Sequence, residues 1–299
     1  MNLHIKYNEP KKRDICVAFC YFNTCGYIRS LQNLAFFETK LRLAKIPYFS
    51  AEMVIGDQPP MLASPTLCFR SKSSLFYKEA LWNRLEQAIP EQYTKICFLD
   101  SDIIFDRPDW LDEISRLLDT HDVVHPFKIC HRLNHNFIPE LSTSSYLSDI
   151  DNMAWKDHGF GWCLTREFFK KIGGFFYKCV MPNGDHYFRI ALVQENVQTH
   201  PSIQDEIIEY KTKFIGAKYT YLECTISHLY HGTFIKRSYD QFNKILDMIK
   251  PDWSAVFLLN ADGFWELKDP VINSKYIEYF KSREEDIIKP PMLSSRKFK

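Results

Sequence analysis

Two carboxylates, Asp100 and Asp102, stand at the end of an apolar run. The run Ile96-Cys-Phe-Leu99 is continuous, as expected of a strand buried on both faces of a sheet, and apolar residues 103–105 follow. Carboxylates between apolar runs are costly unless a positive group compensates them. Mg²⁺ and Mn²⁺ take oxygen ligands and share them with phosphate groups. We therefore predict a metal and phosphate site at Asp100 and Asp102, at the tip of a central strand.

The tripeptide Asp-x-Asp is not sufficient by itself, because the chain contains a second copy at 149–151. That copy lies in polar surroundings with no apolar strand before it, so we interpret it as a loop. The alternative for Asp100 and Asp102 is a strand-end turn with a helix cap. The apolar run before these two residues favours the metal site.

The composition limits the classes of partner. The chain has 299 residues, 45% of them hydrophobic, and a formal net charge of +1, which gives no support for nucleic acid or an anionic membrane. Nine cysteines without a C-x-x-C pair fit reduced thiols better than a disulfide framework. Neither a signal-peptide pattern nor an apolar run of membrane-spanning length occurs in the sequence. These features predict a cytoplasmic protein.

The first elements predict an α/β protein. Apolar residues 15–22 and 48–55 indicate strands, and the helical pattern of residues 27–45 lies between them, which is the opening of a parallel sheet. Residues 56–70 are rich in Pro and Ser and are predicted to be a loop, followed by a helix over 74–88. Neither G-x-G-x-x-G nor a P-loop pattern occurs. We predict one Rossmann-like domain with a mostly parallel central sheet flanked by helices.

The second half contains more polar segments. Residues 128–159 are long and irregular, so we predict a functional loop there, and the spacing of its histidines does not indicate zinc. Asp185 begins a helix after Gly184, where a carboxylate is either a cap or a catalytic base. Further predictions are a helix capped by Asp109, strands over 159–164 and 219–226, a helix over 202–210 and a capping box at Ser238–Gln241.

Several segments together resemble the glycosyltransferase A fold, in particular family-2-like enzymes and a group from bacteria and large viruses. They are Phe76-Tyr-Lys-Glu79 with Asn83, Phe98-Leu-Asp-Ser-Asp-Ile-Ile-Phe105, Gly161-Trp162, Gly184-Asp-His186, His228-Leu-Tyr-His-Gly232 and Tyr279-Phe-Lys-Ser-Arg-Glu-Glu-Asp286. The resemblance covers residues 14–286. It implies a catalytic domain over 14–288, with a nucleotide half (14–127) and an acceptor half (128–288). Residues 1–13 would be an extension and 289–299 a disordered tail.

The resemblance also implies roles for single residues. Asp102, with Asp100 and His228, would bind Mn²⁺ or Mg²⁺, and Asp185 would be the base for an acceptor hydroxyl. His228 ends a strand and is predicted to bind metal, whereas His231 lies in the following turn and is predicted to contact phosphate. The predicted nucleotide and phosphate contacts are Asn23, Lys78, Asn83, Asp100, Ser101, His231 and Lys236. The predicted acceptor contacts are Trp162 and His186.

The predicted reaction is transfer of a sugar from a nucleoside-diphosphate sugar, with UDP-sugars favoured, to a glycan or other hydroxyl acceptor. A base opposite the leaving group would invert the anomeric carbon. A retaining transferase on the same fold would not need Asp185 as base. A non-catalytic sugar- or nucleotide-binding relative is a further alternative, which the presence of all three acid and His positions argues against. A sugar nucleotidyltransferase is disfavoured because a Gly-rich, basic loop is missing after Phe22.

Overall fold

The main sheet carries seven strands in the order β11-β6-β10-β4-β1-β2-β3. A computed structural model describes residues 13–148, 156–233, 245, 247, 248 and 252–286. The strands of this sheet are β1 (Ile15–Phe22), β2 (Tyr48–Ile55), β3 (Leu67–Ser71), β4 (Lys95–Leu99), β6 (Val123–His125), β10 (Gly161–Thr165) and β11 (Tyr219–Tyr221). All neighbours pair in parallel except β10, which is antiparallel to β4 and β6. The predicted α/β class with a mostly parallel sheet flanked by helices is confirmed.

Helices cover both faces of the main sheet. They are α1 (Ile28–Leu43), α2 (Lys78–Ala88), α3 (Trp110–Leu117), α4 (Arg166–Ile172), α5 (Gly184–Leu192), α6 (Gln204–Thr212), and two further helices, Trp253–Val256 and Pro270–Ser282. Successive residues of a strand point to opposite faces. Val17 and Phe19 therefore pack with α1 and α3, whereas Ala18 and Phe98 pack with α2, α4 and α5. Both faces of β1 and β4 are apolar for this reason.

A second sheet lies beside the carboxyl ends of the main strands. It has the order β5-β12-β7-β8-β9, from β5 (Ile103–Phe105), β7 (Ile129–Leu133), β8 (Pro139–Ser145), β9 (Lys156–Asp157) and β12 (Thr225–His228). The prediction of an irregular loop over 128–159 is therefore wrong. The prediction of one strand over 219–226 is also wrong, because β11 and β12 belong to different sheets. The strands β13 (Phe257–Leu259) and β14 (Trp265–Leu267) form a separate two-stranded sheet, which contacts the end of β3 through the hydrogen bond from Ser71 to Glu266.

Other boundaries differ by a few residues. The predicted loop over 56–70 contains most of β3. This strand pairs with β2 although two of its five residues, Cys68 and Arg70, are exposed to solvent. The helix predicted over 74–88 begins at Lys78. Asp109 precedes α3 but makes no side-chain cap hydrogen bond, because its carboxylate binds the Arg107 guanidinium. The second Asp-x-Asp copy, the capping box and the predicted tail lie outside the described residues.

Gly161 allows β10 to lie against β4. Its φ is +134°, and a Cβ at this position would lie 2.3 Å from the Phe98 carbonyl oxygen and 2.9 Å from the Leu99 Cα. Any larger residue would push these two strands apart. This close approach of the two backbones lies directly before Asp100, whose amide donates to the Phe160 carbonyl at 3.1 Å.

Candidate active site

A cleft of about 280 Å³ opens at the carboxyl ends of β1 and β4. This is the edge at which open α/β sheets place ligands, because the ends of parallel strands meet there. The second sheet forms another wall of the cleft. Eight residues predicted from the sequence line it: Asn23, Lys78, Asp100, Ser101, Asp102, Asp185, His228 and His231.

Strand pairing brings His228 to Asp102. β12 pairs antiparallel with β5, and His228 is the register partner of Ile103, the residue after Asp102. The Leu229 amide donates to the Asp102 carbonyl at 2.8 Å, which extends this pairing by one step. The apolar residues that follow Asp102 therefore have a specific role in the fold. They form β5, which pairs with β12 and so holds His228 beside Asp102.

Asp102, His228 and His231 form a compact group of possible metal ligands. Asp102 Oδ2 lies 3.4 Å from His228 Nε2 and 3.0 Å from His231 Nε2, and the two imidazole nitrogens are 3.1 Å apart. The other carboxylate oxygen, Oδ1, is buried and has no hydrogen-bond partner in the described part of the chain. An orphaned buried oxygen beside two imidazole nitrogens fits a bound cation. His231 thus lies with the candidate metal ligands, rather than apart from them.

The charge of Asp102 is stabilised where it stands. Burial alone would raise the pKa of its carboxyl. The neighbouring imidazoles of His228 and His231 outweigh burial and hold that pKa well below its ordinary range. Asp102 is therefore ionised at neutral pH, as a metal ligand must be.

Lys78 connects three carboxylates at the floor of the cleft. Its Nζ lies 2.5 Å from Asp185 Oδ2, 3.3 Å from Asp100 Oδ1 and 3.9 Å from Glu79 Oε1. Burial would lower the pKa of Lys78, but the three carboxylates outweigh it and raise that pKa well above its ordinary value. Asp100 is thus held by Lys78, and it is not in the group of possible metal ligands among the described residues.

The Asp100 carboxyl differs from that of Asp102, two residues away. Burial raises the pKa of Asp100 to about 6, with the Lys78 ammonium opposing the rise and the charges of Asp185 and Asp102 contributing to it. A cation in the cleft would lower this pKa, because it favours the charged form. The two carboxylates of the motif therefore have different surroundings: one faces two imidazoles, and the other faces an ammonium group.

Asp185 is positioned by the first turn of α5 and by two donors. Lys78 donates to its Oδ2, and the Trp162 indole Nε1 donates to its Oδ1 at 3.2 Å. The residue before it, Gly184, packs directly on Glu79, and a Cβ there would lie 1.9 Å from Glu79 Oε1. Glycine at 184 therefore allows α5 to approach α2 closely enough for the contact between Lys78 and Asp185.

Glu79 is a buried carboxyl without hydrogen-bond partners in the described residues. Burial raises its pKa from 4.5 to about 8, and the Lys78 charge only partly opposes this. Because the folded state then holds a proton that the unfolded state has released, the free energy of unfolding should fall as pH rises from 4.5 to about 8. We expect Glu79→Gln to lack this decline, so that its stability relative to wild type increases with pH.

Denaturant unfolding of both proteins at several pH values across this interval, from about 4.5 to about 8, measures this difference. The control is Glu278→Gln on the helix Pro270–Ser282, where the glutamate is exposed and pairs with Lys275. The difference in the free energy of unfolding between this control and wild type should not increase with pH. A Glu79→Gln variant whose relative stability falls with pH would contradict the assignment of Glu79 as protonated.

Three predicted contacts are not available in the cleft as expected. The Asn83 side-chain amide holds the segment after α4. Its Nδ2 donates to the Phe175 carbonyl and its Oδ1 accepts from the Phe175 backbone amide, each at 2.8 Å. Trp162 is fully buried in the sheet and reaches the cleft only through its hydrogen bond to Asp185. His186 does not line the cleft, and its ring lies 5.6 Å from that of His158. Lys236 lies outside the described residues.

Asn23 lines the cleft but its amide is already used. Its Nδ2 donates to the Tyr21 hydroxyl at 2.9 Å and to the Tyr27 carbonyl at 2.8 Å, and its Oδ1 accepts from the Tyr27 amide at 2.9 Å. These bonds shape the turn between β1 and α1. Asn23 is therefore a residue that builds the wall of the cleft, and a nucleotide contact from it would need one of these bonds to be shared.

Sequence reasoning missed several titratable residues of the cleft: Arg132, Asp157, His158, Arg283 and Glu285. The first three come from the segment 128–159, which we predicted to be irregular. Arg132 donates to both carboxylate oxygens of Asp157 at 2.9 Å, so a paired charge forms part of the second-sheet wall. Arg283 and Glu285 belong to the last segment of the family resemblance, and that resemblance was the available signal.

No family model and no curated protein matches the sequence. Similar solved structures include a mannosyltransferase from Pyrobaculum calidifontis in complex with GDP-Man and Mn²⁺ (TM-score 0.44, 11% identity, 90% of this chain and 72% of that chain). Another is a mutant of the Drosophila β-1,4-galactosyltransferase 7 in complex with manganese, UDP-Gal and xylobiose (TM-score 0.39, 13% identity, 62% of this chain). The match spans 63% of the Drosophila chain.

The 4-diphosphocytidyl-2C-methyl-D-erythritol synthase from Anaerococcus prevotii is also among the similar structures (TM-score 0.36, 9% identity, 70% of this chain and 86% of that chain). At such low TM-scores and identities, these similarities do not assign an activity to this chain. Within the described residues, none of the helices combines the length and apolar character needed to cross a bilayer.

Proposed function

We propose that this protein is a metal-dependent glycosyltransferase that uses a nucleoside-diphosphate sugar, with a UDP-sugar as the favoured donor. The observation that carries this proposal is the group of Asp102, His228 and His231 in a cleft at the carboxyl ends of β1 and β4. A carboxylate with two imidazoles suits Mn²⁺ better than Mg²⁺, which prefers oxygen ligands. Bound there, the metal would supply Lewis-acid stabilisation of the leaving diphosphate.

The residues of the chain have separate tasks in this reaction. Asp102, His228 and His231 would hold the metal, and Lys78 holds Asp100 and Asp185 at the floor of the same cleft. Asp185 is the proposed general base, which takes the proton of the acceptor hydroxyl as the bond to the sugar forms. Its two bound donors fix its orientation, and a carboxylate oxygen has a second lone pair for the acceptor. A base on the face opposite the leaving group would invert the anomeric carbon.

UDP with Mn²⁺ is expected to raise the melting temperature, and UDP with EDTA much less, because a metal held by Asp102, His228 and His231 would offset the charge of the diphosphate. A ligand at about 100 times its dissociation constant adds roughly 2.7 kcal/mol to the free energy of unfolding. Thermal melts with UDP, GDP and dTDP, each with Mn²⁺ or EDTA, measure this.

A donor screen for metal-dependent nucleotide release from UDP-, GDP- and dTDP-sugars then identifies the substrate. If none of the three nucleotides stabilises the protein in a metal-dependent manner, the proposed metal site is refuted.

A further inference from the structure

The segment Arg283–Asp286 packs directly against the turn that contains His231. Gly232 has a φ of +89°, and a Cβ there would lie 2.8 Å from the Arg283 carbonyl oxygen. The two segments therefore touch through their backbones. This contact brings Glu285, whose side chain is 8% exposed, to the His231 ring at the edge of the cleft.

The two nitrogens of His231 face two different carboxylates. Nε2 lies 3.0 Å from Asp102 Oδ2, and Nδ1 lies 3.5 Å from Glu285 Oε1. A metal ion held beside Asp102 would need the lone pair of Nε2, so the proton of the neutral imidazole would then lie on Nδ1 and face Glu285. We propose that Glu285 is a positioning residue that holds His231 as the Nδ1–H tautomer, with Nε2 directed at the metal. This inference rests on the proposed function, since it concerns the same metal.

Glu285 is itself held in a fixed position. The Ser30 hydroxyl donates to Oε2 at 2.7 Å, and Arg283 Nε lies 2.9 Å from Oε1. The next residue, Asp286, accepts hydrogen bonds from the Ile28 and Arg29 amides at the start of α1, at 2.9 and 2.8 Å. The segment is thus bound to α1 on one side and to the His231 turn on the other. A carboxylate supported in this manner can set the orientation of a ring, which a mobile surface carboxylate cannot do.

Two measurements test the proposal. In the wild type loaded with Zn²⁺, a diamagnetic ion that also binds imidazole nitrogen, the ¹⁵N chemical shifts of the His231 imidazole should show a metal-bound Nε2 and a protonated Nδ1. Glu285→Gln replaces the carboxylate by an amide, which is a weaker acceptor for the Nδ1 proton, so this proton should exchange with water faster in the Zn²⁺-loaded variant. Calorimetric titration with MnCl₂, without nucleotide, should give a dissociation constant raised by about 10- to 100-fold in Glu285→Gln, the usual effect of losing such a partner.

Two control variants separate positioning from stability. Glu278→Gln removes an exposed carboxylate on the preceding helix, and its Mn²⁺ affinity should equal that of wild type. Asp286→Asn weakens the cap of α1 and should lower the melting temperature, while its Mn²⁺ affinity should fall less than that of Glu285→Gln. Both comparisons would show that the metal effect belongs to Glu285.

The failures of the two proposals are distinguishable. If wild type binds Mn²⁺ and Glu285→Gln binds it equally well, the role of Glu285 is refuted while the metal site stands. If wild type binds no Mn²⁺, the proposed function fails first. A wild-type His231 that binds Zn²⁺ through Nδ1 overturns the inference from the wild type alone, so the test holds even for a Glu285→Gln variant that does not fold.

Discussion

Asp102→Asn is expected to abolish measurable Mn²⁺ binding and to raise the dissociation constant by more than about 100-fold. Loss of a residue that only supports a metal ligand weakens binding by up to about 100-fold, and loss of a ligand itself should weaken it more. The carboxylate of Asp102 is the one negative group that faces both imidazoles, at 3.4 and 3.0 Å, among the described ligand candidates. An amide keeps its size and can still bond to an imidazole, so the fold should be retained. Calorimetric titration with MnCl₂ measures the loss, and circular dichroism checks the fold.

The control for this variant is Asp112→Asn, which removes a partly exposed carboxylate that pairs with Arg13 and does not line the cleft. Its Mn²⁺ affinity and its stabilisation by UDP with Mn²⁺ should equal those of wild type. If Asp102→Asn bound Mn²⁺ as tightly as this control does, the metal would have to lie elsewhere, and Asp102 with its two histidines would be a structural hydrogen-bonded group.

Asp185→Asn is expected to lower turnover by about 10²- to 10⁴-fold, the usual contribution of a general base, with nearly unchanged binding of UDP and Mn²⁺. The amide cannot accept the proton of the acceptor, but it can keep the hydrogen bond from Trp162. Lys78 keeps Asp100 and Glu79 as neighbours, so the cleft should not collapse. Steady-state kinetics with the donor found in the screen measure the loss.

The chain offers a matched control for this variant. Asp205 is the second residue of α6, as Asp185 is the second residue of α5, but Asp205 is exposed. Asp205→Asn changes the same helix position outside the cleft and should leave turnover unchanged. Wild-type turnover in Asp185→Asn would place the base elsewhere. A product that keeps the donor's anomeric configuration would favour the retaining alternative.

Apolar patterns predicted the centre of the fold well. The strands Ile15–Phe22 and Tyr48–Ile55 have the predicted bounds, because strands buried on both faces show a continuous apolar run. The same patterns failed at β8, whose Ser142, Thr143 and Ser144 resemble a loop in the sequence. Those residues form a strand because β7 supplies hydrogen-bond partners, and pairing of this kind between separate segments is not visible in local composition.

The candidate site was predicted only in part, because some of its residues are brought together by pairing between segments that are distant in the sequence. Asp100 and Asp102 are visible because carboxylates after an apolar run are unusual. The position of His231 beside Asp102 depends on the pairing of β12 with β5, which joins segments far apart in the sequence. The resemblance predicts Asn83 as a nucleotide contact, yet Asn83 binds the Phe175 backbone, because only the packing of α2 decides which of its faces meets the cleft.

The attachment of Glu285 to Ser30 has a consequence for the kinetics of folding. These residues are 255 positions apart, and the Asp286 contact to Ile28 closes an interval of 258 positions. Contacts of such sequence separation form late, because the entropy of closing a long loop must be offset before they contribute. We therefore expect refolding chains to regain helical circular dichroism before they regain Mn²⁺ affinity. In stopped-flow experiments, metal uptake would then report the final step of refolding.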